Sequence, residues 1–350
     1  LLFSATSYSG PEGEITGNKE AKIMFTKIVV PLDGSNLAEE ALPEAMKLAV
    51  WLDAQLLLVR IAELPHLADD TFELELELIT KAETYLGEVK QTLAGPATVF
   101  QLPPGRIQTQ VALGRAASQL TELISRNKAD LVIMTTHGRS GLARLAMGSV
   151  ASEVIQHSTV PVVLISPDHT PKTETENQKA VQEPISLGRR AGPLLVPLDG
   201  TAKGEAALEL ATALARQLKT SLHLFEVVEP VIPVQYPEMA TTFTSDLFIA
   251  EDATKSRCDT ASEYLNELQQ TICAKGINCA IEVRRGLPTQ EITGYAREIQ
   301  AALLIMATHA RGRIGQVLLG SVAEEVMRKT HIPVMMVRVP HLSRKKDEDK

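Results

Sequence analysis

The chain repeats itself, and that constrains its fold more than any other feature. Ile28-Val29-Val30-Pro31-Leu32-Asp33-Gly34-Ser35 returns as Leu194-Leu195-Val196-Pro197-Leu198-Asp199-Gly200-Thr201. Further on, Leu131-Val132-Ile133-Met134-Thr135-Thr136-His137 returns as Leu303-Leu304-Ile305-Met306-Ala307-Thr308-His309. Gly148-Ser149-Val150 returns as Gly320-Ser321-Val322, and Val160-Pro161-Val162 as Ile332-Pro333-Val334. Landmarks in one order at a nearly constant step indicate a duplicated domain, and the period is too long for a solenoid. The 350 residues are enough for two cores.

Each copy alternates two kinds of pattern. Short apolar runs at 27–31, 55–61, 106–112, 130–135 and 161–166 have the character of strands buried on both faces. Between them, spacings of three and four predict helices over 37–52, 70–94 and 116–128, and one starting at Ser149. Ser35 or Asn36 is the candidate cap of the first. The second copy predicts strands near 193–198, 221–228, 278–285, 302–307 and 333–338, and helices near 202–218, 246–275, 289–299 and 321–330. The expected class is α/β, with two tandem doubly wound domains. Each would be a five-stranded, mainly parallel sheet with helices on both faces. The expected boundaries are an N-terminal tail 1–22, a first domain 23–167, a linker 168–191, a second domain 192–340 and a charged tail 341–350. The linker is rich in Pro, Thr, Glu, Gln and Lys and lacks apolar periodicity.

Charge and cysteine content narrow the function classes. The net charge is -8, so the basic surface that binds a nucleic-acid backbone is not expected. No apolar run reaches the roughly 18 residues of a membrane span. Cys258, Cys273 and Cys279 form neither a disulfide framework nor a metal-binding CxxC set. Residues 1–21 lack the basic region of a signal peptide. The expectation is a cytoplasmic protein with reduced thiols and no metal site of its own.

The stretch from Met134 to Val150 leaves a strand, crosses a small-residue loop and enters a helix. A helix start offers unpaired N–H groups and partial positive charge to a phosphate. Gly138, Gly141 and Gly148 permit close backbone approach and positive φ, and Arg139 and Arg144 add charge. Neither a Walker P-loop nor GxGxxG after the first strand is present. A plain strand-to-helix junction accounts for the same glycines. Asp33, at the end of another strand, either accepts ribose hydroxyls in the same crevice or serves as a turn residue. Ser149 and Ser321 are phosphate contacts, N-caps or both. Arg60 either faces solvent or lays its guanidinium over a base. His137 and His309 lack an evident nucleophile, which favours a structural or ligand-packing role.

Together the Pro-x-Asp-Gly-Ser opening, the His137-Gly138-x-Ser-Gly segment, the Gly-Ser-Val helix start and the closing Val-Pro-Val strand resemble a universal stress protein, in tandem. ATP-binding members of that family share G-x2-G-x9-G-[S/T], which falls here on Thr135, Gly138, Gly148 and Ser149. The resemblance implies ATP as a regulatory ligand rather than a substrate, with magnesium left open as its companion. It implies that Asp33, with Pro31 and Leu32, holds ribose and that the peptide around Arg60 meets adenine. It assigns ribose and phosphates to the segments containing Met134, Thr135, His137, Gly138 and Arg139, and Met147, Gly148, Ser149 and Val150. Thr135 is strained there if the position needs positive φ, and harmless if it is extended. In the second copy the counterparts are Pro197, Asp199, Val227, Ala307, Ala310, Gly320, Ser321 and Val322. The methyl groups of Ala307 and Ala310 are expected to narrow that crevice and weaken binding. The resemblance also implies that the final strands pair antiparallel, here within one chain as an internal pseudo-dimer, while a dimer of whole chains stays open. The protein partner is not identifiable from sequence. The competing expectation is an interaction scaffold in stress signalling that binds no nucleotide.

Overall fold

The computed structural model describes residues 24–63, 71–96, 98–136, 147–166, 191–202, 204–232, 243–308 and 320–338. In the first half the elements are β1 (Lys27–Pro31), α1 (Asn36–Glu39), α2 (Leu42–Leu52), β2 (Gln55–Ala62), α3 (Thr71–Leu93), β3 (Ile107–Leu113), α4 (Ala116–Arg126), β4 (Leu131–Thr135), α5 (Ser149–His157) and β5 (Val162–Ile165). The second half holds β6 (Leu194–Leu198), a 3-10 turn (Gly204–Ala207), α6 (Leu208–Leu218), β7 (Leu222–Val228), α7 (Phe243–Ala274), β8 (Cys279–Arg285), α8 (Pro288–Glu298), β9 (Leu303–Thr308), α9 (Ser321–Lys329) and β10 (Val334–Arg338). The expected tails, and the expected linker 168–191 except its last residue, lie outside the described residues.

The strands are apolar along their whole length because both faces are covered. Ile28, Val29 and Val30 are all fully buried, although alternate residues point to opposite sides. Strand order is β3-β2-β1-β4-β5 in the first half and β8-β7-β6-β9-β10 in the second, and the two sets join in one ten-stranded sheet. Among the described residues all strand pairings are parallel except one. At the junction β10 runs antiparallel to β5, with Val334 opposite Leu164, Met335 opposite Val163 and Met336 opposite Val162. This places the two final strands side by side and removes both exposed edges.

One expected helix is broken. The run 37–52 forms α1 and α2 instead of a single helix. Pro43 stands in the first turn of α2 and has no N–H to give the Glu39 carbonyl. The chain tightens before it: Glu40 N–H donates to Leu37 O, and Ala41 N–H to Ala38 O, both at 3.3 Å. In the second half the run 202–218 is likewise a 3-10 turn followed by α6.

The packed halves share their cores. On one face of the sheet, a single apolar cluster joins Ile28, Val30, Met46 and Leu86 to Leu194, Val196, Leu214 and Leu265. On the other, a second cluster joins Val29, Leu120, Val132 and Val154 to Leu195, Phe225, Ala296 and Val326. Gln217 on α6 also ties the halves together in the manner of a peptide group. Its Oε1 accepts from Phe25 N–H at 3.0 Å, and its Nε2 donates to the Phe25 and Leu52 carbonyls, each at 3.0 Å. Gln217→Leu leaves these backbone groups without their partner, so we expect a loss of about 2 kcal/mol, read as an earlier midpoint in urea unfolding. An unchanged midpoint would show that this contact does not hold the halves together.

Candidate ligand-binding crevices

Each half opens a crevice where its strand order reverses. β1 pairs with β4 only at Ile28–Leu131 and Val29–Val132, although both strands continue further. On the other side β1 stays paired with β2 as far as Pro31–Val59. Alternation explains the parting. Leu32 N–H donates to Val59 O on the β2 side at 2.8 Å, and the Lys27 carbonyl accepts from Asp130 N–H on the β4 side. Residue 31 therefore faces β4, and a proline there has no N–H to strand. The second half repeats this arrangement. β6 pairs with β9 only at Leu194–Leu303 and Leu195–Leu304, and Pro197 occupies the matching position.

The first crevice has a volume of 410 Å³. Pro31, Leu32, Asp33, Arg60, Met134, Thr135, Gly148, Ser149 and Val150 all line it. Met147 packs into the core on the α4–α5 face rather than lining the crevice. His137, Gly138 and Arg139 lie outside the described residues. Asp33 does serve the turn: Ser35 donates to its Oδ1 twice, through N–H at 2.9 Å and through Oγ at 2.6 Å. Ser35 Oγ in turn accepts from Ala38 N–H and caps α1. The turn thus orients a carboxylate that also borders the crevice. Gly34 has φ +81, a conformation that favours glycine, and a Cβ there would stand 2.5 Å from Arg60 Nη1 and displace the guanidinium.

Three expectations about this crevice are corrected or resolved. The Arg60 guanidinium neither points freely to solvent nor lies over an open base site. It is wedged between Gly34 and the Tyr85 ring, with Cζ 4.7 Å from the ring centroid. The Tyr85 hydroxyl donates to Glu39 Oε1 at 2.8 Å, and burial, then Glu39, pushes its pKa up. Ser149 and Ser321 are not caps. Gly148 and Gly320 hold the cap positions, without a side-chain cap bond and at φ -57 and -51. Positive φ is therefore not what glycine supplies at these two positions. A Cβ on Gly320 would meet nothing within 4 Å, so the glycine leaves the helix entrance bare. Thr135 lies in β4, buried and paired with Ile165, so the extended alternative holds and it carries no φ strain.

The second crevice is the larger, at 750 Å³, so the methyl of Ala307 does not make it the smaller of the two. Pro197, Asp199, Val227, Ala307, Gly320, Ser321 and Val322 line it, while Ala310 lies outside the described residues. Asp199 repeats the turn: Thr201 donates to its Oδ1 through N–H at 3.1 Å and through Oγ1 at 2.6 Å. Tyr264 repeats Tyr85, donating to Glu205 Oε1 at 3.1 Å. The counterpart of Arg60, however, is Glu226 rather than Val227. Pro197 pairs with Phe225 just as Pro31 pairs with Val59, so the next residue along is Glu226. Glutamate is shorter than arginine and leaves the wedge open, so the crevice extends to Ser256, Thr260, Ala261 and Tyr264 of α7. From α3, by contrast, only Leu78 and Lys81 reach the first crevice. Burial and then Asp199 raise the Glu226 pKa, and among the described residues its buried Oε2 has no hydrogen-bond partner.

Sequence reasoning misses Glu226, Tyr85, Tyr264 and the apolar wall of Val59, Ile61 and Leu120. For Glu226 the signal is the step from Ile28 to Leu194, which carries Arg60 onto it. Among the described residues there is no group of His, Cys, Asp and Glu placed to hold a metal, and no helix is long and apolar enough to cross a membrane.

Comparison with known proteins places this architecture. The universal stress protein family matches residues 24–166 and again 191–338. A universal stress protein of Methanocaldococcus jannaschii is 30% identical over 142 residues, covering 41% of this chain and 82% of its own. One from Mycobacterium bovis is 23% identical over 212 residues, or 61% of this chain and 63% of its own length. The crystal structure of a universal stress protein from Archaeoglobus fulgidus superposes with a TM-score of 0.60 at 20% identity, over 90% of this chain and 98% of that one. With two matches that together span most of its length, the chain belongs to the universal stress protein family and carries the family's unit twice.

Proposed function

We propose that the chain is a cytoplasmic, ATP-binding regulatory module of the stress response, with the nucleotide held in the first half. The two domains are assigned to 23–167 and 192–340. The observation that carries this reading is convergence on one crevice. Asp33 from the end of β1 and the uncapped start of α5 at Gly148, Ser149 and Val150 face a shared space of 410 Å³. Helix N–H groups that no side chain caps suit phosphate oxygens. A carboxylate at a strand end suits ribose hydroxyls. The wall of Val59, Ile61 and Leu120 suits a base, with the backbone at Arg60 at its edge.

In this assignment Pro31 and Leu32 shape the ribose end, and Met134 and Thr135 shape the floor. His137, Gly138 and Arg139, which lie outside the described residues, are assigned with Met147 to the ribose and phosphates by the family resemblance alone. In this reading ATP acts as a regulatory ligand rather than a substrate. ATP binding would favour one state of the chain over another and so change its affinity for a protein partner. The final strands keep the halves together as an internal pseudo-dimer. The scaffold reading draws on a different observation: Phe72, Leu76, Phe248 and Ile249 are exposed near the starts of α3 and α7, where a partner could bind without any nucleotide.

Titrating ATP into the full chain by calorimetry tests the assignment. We expect Asp33→Ala to weaken binding at least about tenfold through loss of a charge-assisted contact, with an unchanged circular dichroism spectrum. Identical isotherms for the two proteins would remove the first crevice as the site. No heat and no nucleotide released on denaturation would favour the scaffold.

A further inference from the structure

The two crevices share a backbone but not a charge. Among the described residues, the first is lined by Arg60 and Lys81 against Asp33 and Glu63. The second is lined by Arg257 against Asp199, Glu226 and Glu229, and Arg257 Nη1 is engaged with the Glu229 carbonyl at 3.1 Å. Around this difference the rest is duplicated: the Asp-Gly turn, the tyrosine-to-glutamate hydrogen bond and the glycine before the late helix. One exchange, Arg60 for Glu226, both reverses the charge and opens the wedge between the turn glycine and the tyrosine. Glu226 Oε1 lies 3.8 Å from where a Gly200 Cβ would stand, whereas the Arg60 guanidinium fills the matching space.

We propose that Glu226 is the specificity-determining residue of the second crevice, and that it excludes anionic nucleotides by charge and not by lack of room. The proposal rests on the nucleotide reading of the first crevice and extends it to the second. Overall volume does not account for exclusion, because the second crevice is the larger of the two. Two carboxylates, Asp199 and Glu226, line it close enough to interact: burial first, and Asp199 second, raise the Glu226 pKa. A polyanionic ligand would bring further negative charge beside them in a partly desolvated space. In the first half the matching position carries a cation, Arg60, packed against Gly34 of the Asp33 turn.

The test is ATP calorimetry on the full chain for wild type, Glu226→Arg and Glu226→Gln, each also in an Asp33→Ala background. Wild type is expected to bind one ATP per chain and Glu226→Arg two, with the added site surviving Asp33→Ala. Glu226→Gln removes the charge with little change of shape, so it keeps the test open if the arginine variant misfolds. It is expected to tighten second-site binding at least about tenfold, since like charges brought together are costly. Wild type binding two ATP equally, or the same stoichiometry and affinity in all three proteins, would overturn the proposal. If wild type binds none while Glu226→Arg gains a site, this proposal stands and the first-crevice assignment falls.

Discussion

A hydrogen bond that cannot form opens both crevices. Neighbouring parallel strands normally pair to their ends, because an unpaired buried N–H is costly. Pro31 and Pro197 remove that cost at one point in each half. Each sits where the strand faces the neighbour on the other side of the order reversal, and each lacks the N–H that would hold the strands together. β1 and β4 stop pairing after two residues, with β2 beyond one strand and β5 beyond the other in the sheet. The Asp-Gly turn then follows one strand, and the late helix begins above the other. Every feature of the candidate sites depends on this separation.

Duplication supplies a comparison within one molecule. The core runs through both halves on each face of the sheet, and the antiparallel junction of β5 with β10 joins them. The crevices therefore sit on a common frame and differ through side chains at their rims. Arg60, stacked on Tyr85 and pressed against Gly34, closes one end of the first crevice. Glu226 leaves that end open in the second, which accounts for its greater volume without any change of fold. An exchange at one position thus alters volume and electrostatics together.

The fold was largely legible because burial on both faces leaves a simple pattern. Runs such as Ile28 to Val30 and Leu131 to Met134 are apolar without alternation, and the repeat supplied each element twice. The break between α1 and α2 was less visible, since the apolar spacing continues straight through Pro43, and only the loss of its N–H interrupts the helix. Asp33, Thr135, Gly148 and Ser149 were legible as lining residues because they adjoin strand ends and helix starts. The helix cap was misplaced by one residue, because serine is the commoner capping side chain, yet here glycine leaves the entrance bare. The size of the second crevice was not legible from Ala307. It is set by the length of a side chain on a different strand, and that contact exists only once β7 and α7 are packed together.

Amide hydrogen exchange on the full chain, with and without saturating ATP, tests the central claim most directly. The account predicts slower exchange at 149–152 and 33–38, where the ligand would meet the start of α5 and the Asp33 turn, with no change at 321–324. Equal protection at 149–152 and 321–324, or protection at neither, would contradict it.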